Sequence, residues 1–151
     1  MAPLIVLVVV TVVCRGIGEL GWTYAGSWPA ATAIGLSAML VVTGIAHFAP
    51  GRRAGLVAIV PPPFSHPGAI VTVTGIVELV AAAVLLVSPE LGPWRVIAAW
   101  MVALLLVAMF PANVYAAAEK RHELAPDTPL ARRTVMQCVF IAAAVLVATA
   151  S

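Results

Sequence analysis

Apolar residues fall into five long runs, each near the roughly 20 residues that a helix needs to cross the hydrocarbon core of a bilayer. The runs cover about Pro3 to Trp22, Ala30 to Phe48, Gly68 to Val87, Trp94 to Ala118 and Thr134 to Ala150. Helix-breaking and polar residues separate them. Ser27-Trp28-Pro29 divides the first two, Pro50-Gly51-Arg52-Arg53 follows the second, and Pro61-Pro62-Pro63 precedes the third. Ser88-Pro89 and Gly92-Pro93 bracket a tight turn before the fourth. Glu119 to Arg133 is the one strongly charged stretch, and its Pro126 and Pro129 make it a surface loop. The pattern predicts an all-α, polytopic membrane bundle of five spans, in a single domain covering residues 1–151.

Composition sharpens this picture. Of 151 residues, 63% are apolar and 9% charged, against about 25% charged in soluble domains. The mean hydropathy is +1.11. The net charge of +2 is small, and the basic residues sit in short loops. That argues against a nucleic-acid partner and for charges that set membrane topology. Arg52, Arg53, Lys120, Arg121, Arg132 and Arg133 share one side. Arg95 lies on the other, with Arg15 if it snorkels there. The excess of positive charge on the cytoplasmic side of membrane proteins then predicts a cytoplasmic N-terminus and an outer C-terminus in the cell membrane. Leu4 to Val13 could instead be the core of a signal peptide ahead of a lipoprotein-like Cys14. The start Met-Ala-Pro carries no Lys or Arg, which weighs against that.

Polar residues at membrane depth carry the remaining information, because a charge at the bilayer centre costs about 3 kcal/mol on insertion scales. They are Arg15 and Glu19 in the first span, His47 at the end of the second, Glu78 in the third, Asn113 in the fourth and Gln137 in the fifth. Arg15 and Glu19 share a helix face at a spacing of four, so an intrahelical ion pair is expected. Glu78 sits midway along its span, about 15 Å from either end at the helical rise. A carboxylate there needs a partner or a proton. Arg15, about 20 Å from the cytoplasmic end by the same rise, reaches it if the two helices pack together. Otherwise Glu78 is free to exchange protons or contact a ligand. His47, Asn113 and Gln137 fall in the cytoplasmic halves of their spans, where they could converge near the Pro61-Pro62-Pro63 loop. Pro111 removes a backbone hydrogen bond and leaves a carbonyl free near residue 107, beside Asn113.

Cys14 and Cys138 make neither a CxxC pair nor a metal-ligand spacing. Their depths, about 18 Å and about 7 Å from the cytoplasmic end, differ by more than the Cα separation of about 7 Å that a disulfide tolerates. Both read as small apolar fillers. There is no metal site, haem-ligating histidine pair, phosphate loop or nucleophile elbow.

Several short motifs occur in a specific order. Gly44-Ile45-Ala46-His47-Phe48 resembles the G-x-x-H-F that ends an early helix in DoxX-family membrane proteins. Val60-Pro61-Pro62 resembles that family's proline loop, and Thr74-Gly75-Ile76-Val77-Glu78-Leu79 its S/T-G-x-x-E helix. Phe110-Pro111-Ala112-Asn113-Val114-Tyr115 is similar to its F-P-A-N segment. Arg133-Thr134-Val135-Met136-Gln137 resembles the start of its last helix, with Val135 in place of a proline. The resemblance implies a DoxX-like four-helix core, to which the first span is an addition. It carries over His47, Pro61, Glu78, Asn113 and Gln137 as site positions. It also implies a link to redox or thiol-stress complexes, the family taking its name from a subunit of a thiosulfate:quinone oxidoreductase.

Two functions fit these residues. In the first, the chain is a non-catalytic subunit or assembly and stability factor that binds a partner or lipid, and its buried polar residues hold helices together. In the second, a quinone enters between helices, with Glu78 and His47 moving protons and Asn113 or Gln137 bonding a quinone oxygen. Electrons then come from a soluble or membrane oxidoreductase partner, since no cofactor site is recognisable in the chain. Five spans without an even internal repeat make a transporter the weaker choice.

Overall fold

The computed structural model describes residues 1–118, 123 and 128–150. Lys120, Arg121 and Pro126, assigned above to the charged loop, lie outside the described residues. The described residues are helical, without strands: α1 (Ala2–Glu19), α2 (Trp28–Ala46), α3 (Pro50–Ala58), α4 (Pro67–Leu85), α5 (Trp94–Ala118) and α6 (Leu130–Ala150), with 3-10 turns at Thr23–Ala25 and Pro89–Leu91. Five of them, all but α3, are long and apolar enough to cross a membrane. The chain is a multi-pass membrane protein.

Helix boundaries follow local chemistry. Pro3, Pro29, Pro50 and Pro67 each occupy the first turn of their helix, where no intrahelical N–H is needed. Ser27 caps α2 by accepting from the Ala30 N–H at 3.3 Å. The 19 residues of α2 rise about 28 Å, close to the hydrocarbon thickness of about 30 Å. Trp22, Trp28 and Trp94 are exposed around the same end of the bundle, as expected of an interfacial aromatic belt.

Helices α2, α4, α5 and α6 form a closed ring of neighbours, and α1 packs against α2 from outside. The core between the four is made of small and medium side chains, including Leu36, Met39, Ala81, Leu85, Ala98, Ala99, Val102, Ala144 and Val147. Lipid is as apolar as these residues, so close packing and interhelical hydrogen bonds hold the ring together rather than hydrophobic burial. Ser37 supplies one such bond, donating to the Ala82 carbonyl at 2.7 Å. α1 meets α2 at Gly35, where a Cβ would lie 2.7 Å from the Leu7 carbonyl oxygen. Of the α1 residues only Leu7 and Cys14 are buried.

Two stretches depart from the sequence expectation. α6 begins at Leu130, so Arg132 and Arg133, read as the end of a surface loop, lie in its first turn, and Arg133 is buried beside Asn113. Residues 49–67 are not simply a loop, because α3 occupies half of them. Its Arg53 reaches back to both neighbouring spans. It donates to the His47 carbonyl at 3.0 Å, the Gly68 carbonyl at 2.9 Å and the Thr72 hydroxyl at 2.8 Å. A cation thus sits at the C-terminal end of α2, where the helix dipole favours it.

Candidate functional site

Four groups of polar side chains lie between the helices. The first joins α2 to α4. His47 and Glu78 are each 4% exposed, with His47 Nδ1 4.0 Å from Glu78 Oε2. Two glycines make room for them. A Cβ on Gly75 would stand 2.6 Å from the His47 Cβ, and one on Gly44 would stand 3.4 Å from the Glu78 Cβ. His47 Nδ1 also lies 2.9 Å from the Thr43 carbonyl oxygen. A carbonyl only accepts, so this contact assigns the proton to Nδ1 and leaves Nε2 as the basic nitrogen of the neutral ring. The Thr43 side chain faces the Glu78 carboxyl. Glu78 Oε2 itself is buried and has no hydrogen-bond partner. The distance to His47 is too long for a hydrogen bond.

The second group joins α5 to α6. Asn113 Nδ2 donates to Gln137 Oε1 at 2.7 Å, and Arg133 Nη1 donates to Asn113 Oδ1 at 3.4 Å. Gln137 Nε2 donates to the Leu106 carbonyl, in the turn that Pro111 disrupts. The amide therefore bonds the backbone one residue before Val107, whose carbonyl is the one that loses its helical donor to Pro111. Arg133 Nε is also bonded, to the Thr128 carbonyl at 2.7 Å. Pro111 lies within a continuous α5.

The third group belongs to α1. Arg15 pairs with Glu19 on its own helix, and its guanidinium lies 5.6 Å from the Trp28 ring centroid. That is the intrahelical pair expected from the spacing. The alternative clasp between Arg15 and Glu78 is not formed. Arg15 sits beside the start of α2, whereas Glu78 faces His47 at the other end of that helix. Asn113 and Gln137 bond to each other, whereas His47 faces Glu78 on α4. The polar residues make two separate pairs, and among the described residues no hydrogen bond or ion pair joins one to the other. Pro61 has no hydrogen-bonding group in its side chain, and its carbonyl accepts from the Phe64 N–H at 3.2 Å. Cys14 is buried and Cys138 exposed, and both are free.

The fourth group was not singled out by sequence. Arg95, 3% exposed, donates through Nε to the Leu85 carbonyl at 3.1 Å and through Nη2 to the Tyr24 hydroxyl at 2.7 Å. Tyr24 in turn donates to the Leu86 carbonyl at 2.5 Å. Arg95 thereby caps the C-terminal end of α4. The only signal in the sequence was an arginine one residue inside an apolar span, which read as a topology charge.

Residues 36–148 match a family model described as a domain of unknown function (DUF8561). The match takes in α4, α5 and most of α2 and α6, and leaves out α1. No curated protein and no solved structure matches the chain.

Proposed function

The chain belongs to the DUF8561 family, and from that premise we propose that it is a non-catalytic, multi-pass component of the cell membrane that binds a partner or lipid and supports the assembly or stability of a complex. One observation carries this reading: the polar side chains of the bundle are largely spent on holding its helices to one another. Asn113, Gln137, Ser37 and Arg95 each bond across a helix–helix boundary. Such contacts are what hold membrane helices together in place of a hydrophobic driving force. α1 adds an outward apolar surface, with Ile5, Val9, Val12 and Val13 exposed, for lipid or a partner helix. The same reading keeps the N-terminus cytoplasmic, on the strength of Arg52, Arg53, Arg132 and Arg133. It also includes a DoxX-like origin for the four-helix core. Its support is the motif order from Gly44 to Gln137, whose polar members pair His47 with Glu78 and Asn113 with Gln137.

A second reading has its own observation. Glu78 Oε2 is buried without a hydrogen-bond partner beside His47. A carboxyl and an imidazole left in that condition suit proton exchange with a quinone, whose electrons a partner oxidoreductase supplies.

Mass spectrometry of organic extracts separates the two. The gently solubilised wild type is compared with a Glu78→Gln, Asn113→Ala double variant at matched yield. Bulk lipid alone in both extracts supports the non-catalytic role. Quinone enriched with the wild type and lost with the variant overturns it in favour of the redox reading.

A further inference from the structure

We infer that the end of the bundle opposite the His47–Glu78 pair holds a binding site for a zwitterionic lipid headgroup, an oxyanion joined to an ammonium as in phosphoethanolamine. A pocket of about 490 Å³ opens there. Its lining includes Tyr24, Ser27, Ser88, Glu90, Arg95 and Ala150.

Arg95 is the oxyanion-binding group. Its side chain has five N–H donors, of which Nε and one on Nη2 are used by Leu85 and Tyr24. Among the described residues, Arg95 hydrogen-bonds through Nε and Nη2 and not through Nη1, and it makes no ion pair with a described acidic residue. A buried guanidinium with donors to spare, in a pocket whose lining includes Ser27 and Ser88, suits a phosphate. The pocket also receives the N-terminal end of α2, through Ser27, whose helix dipole favours an anion.

Glu90 makes the site zwitterionic. It lines the same pocket as Arg95, yet the two make no ion pair. Opposite charges held apart across one cavity match a ligand that carries both. Ala150 brings the C-terminal end of α6 to the pocket, where the helix dipole favours a cation. The source of the ligand is the bilayer, because Trp22, Trp28 and Trp94 place the aromatic belt at this level. This site is remote from the His47–Glu78 pair and stands whether or not the assembly role does.

The test reconstitutes the full chain in nanodiscs of equal phosphatidylethanolamine and phosphatidylglycerol, then counts retained lipids by native mass spectrometry. Wild type is expected to retain phosphatidylethanolamine in preference, about threefold to fivefold, the size of one exposed ion pair. Glu90→Gln, on an exposed turn, should fold normally and bring the ratio near one. Arg95→Gln should lose retention of both lipids. If that variant does not fold, Glu90→Gln alone decides. Equal retention of the two lipids by wild type overturns the proposal, as does an unchanged preference in Glu90→Gln.

Discussion

The side-chain amide of Asn113 donates to Oε1 of Gln137 at 2.7 Å, and Gln137 passes its own donor to the Leu106 carbonyl. This relay fastens α5 to α6 at the turn weakened by Pro111. Interhelical hydrogen bonds in membranes average about 0.6 kcal/mol and reach about 1.7 kcal/mol. Gln137→Leu removes both bonds and should lose about 1–2 kcal/mol. Asn113→Ala should lose less. A double-mutant cycle, read by reversible unfolding in detergent, should give a non-zero coupling between the two, since they share one network. Full additivity would show that the Asn113–Gln137 bond contributes nothing.

Close approach at the His47–Glu78 pair depends on Gly75. A Cβ there meets the His47 Cβ at 2.6 Å and ring atoms of His47 and Phe48 at 3.0 Å. Gly75→Ala should therefore cost about 1–3 kcal/mol through overpacking. Gly16 on α1 has open space around it, so Gly16→Ala should be neutral or stabilising by up to about 1 kcal/mol from helix propensity. Melting temperatures of the two variants, side by side, check the contrast.

Arg53 ties three segments together with one side chain. Arg53→Ala removes donors from the His47 carbonyl, the Gly68 carbonyl and the Thr72 hydroxyl. A loss of about 2 kcal/mol is expected, the scale of hydrogen bonds from a charged group. Arg53→Lys should recover only part of it, because an ammonium does not reproduce the planar fork. Arg52 is exposed, and Arg52→Ala should leave stability within about 0.5 kcal/mol. Thermal unfolding of the three variants is the measurement.

The proposed orientation is open to direct labelling. In a Cys14→Ala, Cys138→Ala background, Ser65→Cys should be shielded from an impermeant maleimide in intact cells and labelled after lysis. Glu90→Cys should be labelled in intact cells. The reverse pattern overturns the assignment of the N-terminus to the cytoplasm.

The five spans were legible because the bilayer sets a one-dimensional condition, about 20 apolar residues in a row, that each run meets alone. The observed α5, Trp94–Ala118, coincides with its apolar run. The polar positions were equally visible, since charges and amides stand out in chains that are otherwise apolar. The Arg15–Glu19 pair was legible too, because a spacing of four on one helix settles it locally. α3 was not, being 9 residues long and interrupted by two arginines. Nor was the choice of partners across helices. Asn113 could have faced His47, and Glu78 could have faced Arg15. That choice rests on which helices are neighbours and how each is rotated. In a bilayer the lipid-facing and core-facing sides are both apolar, so the hydrophobic pattern carries little rotational information. Contacts at Gly35, Gly44 and Gly75 decide it instead. Those at Gly44 and Gly75 bring His47 to Glu78, and the one at Gly35 seats α1 on α2.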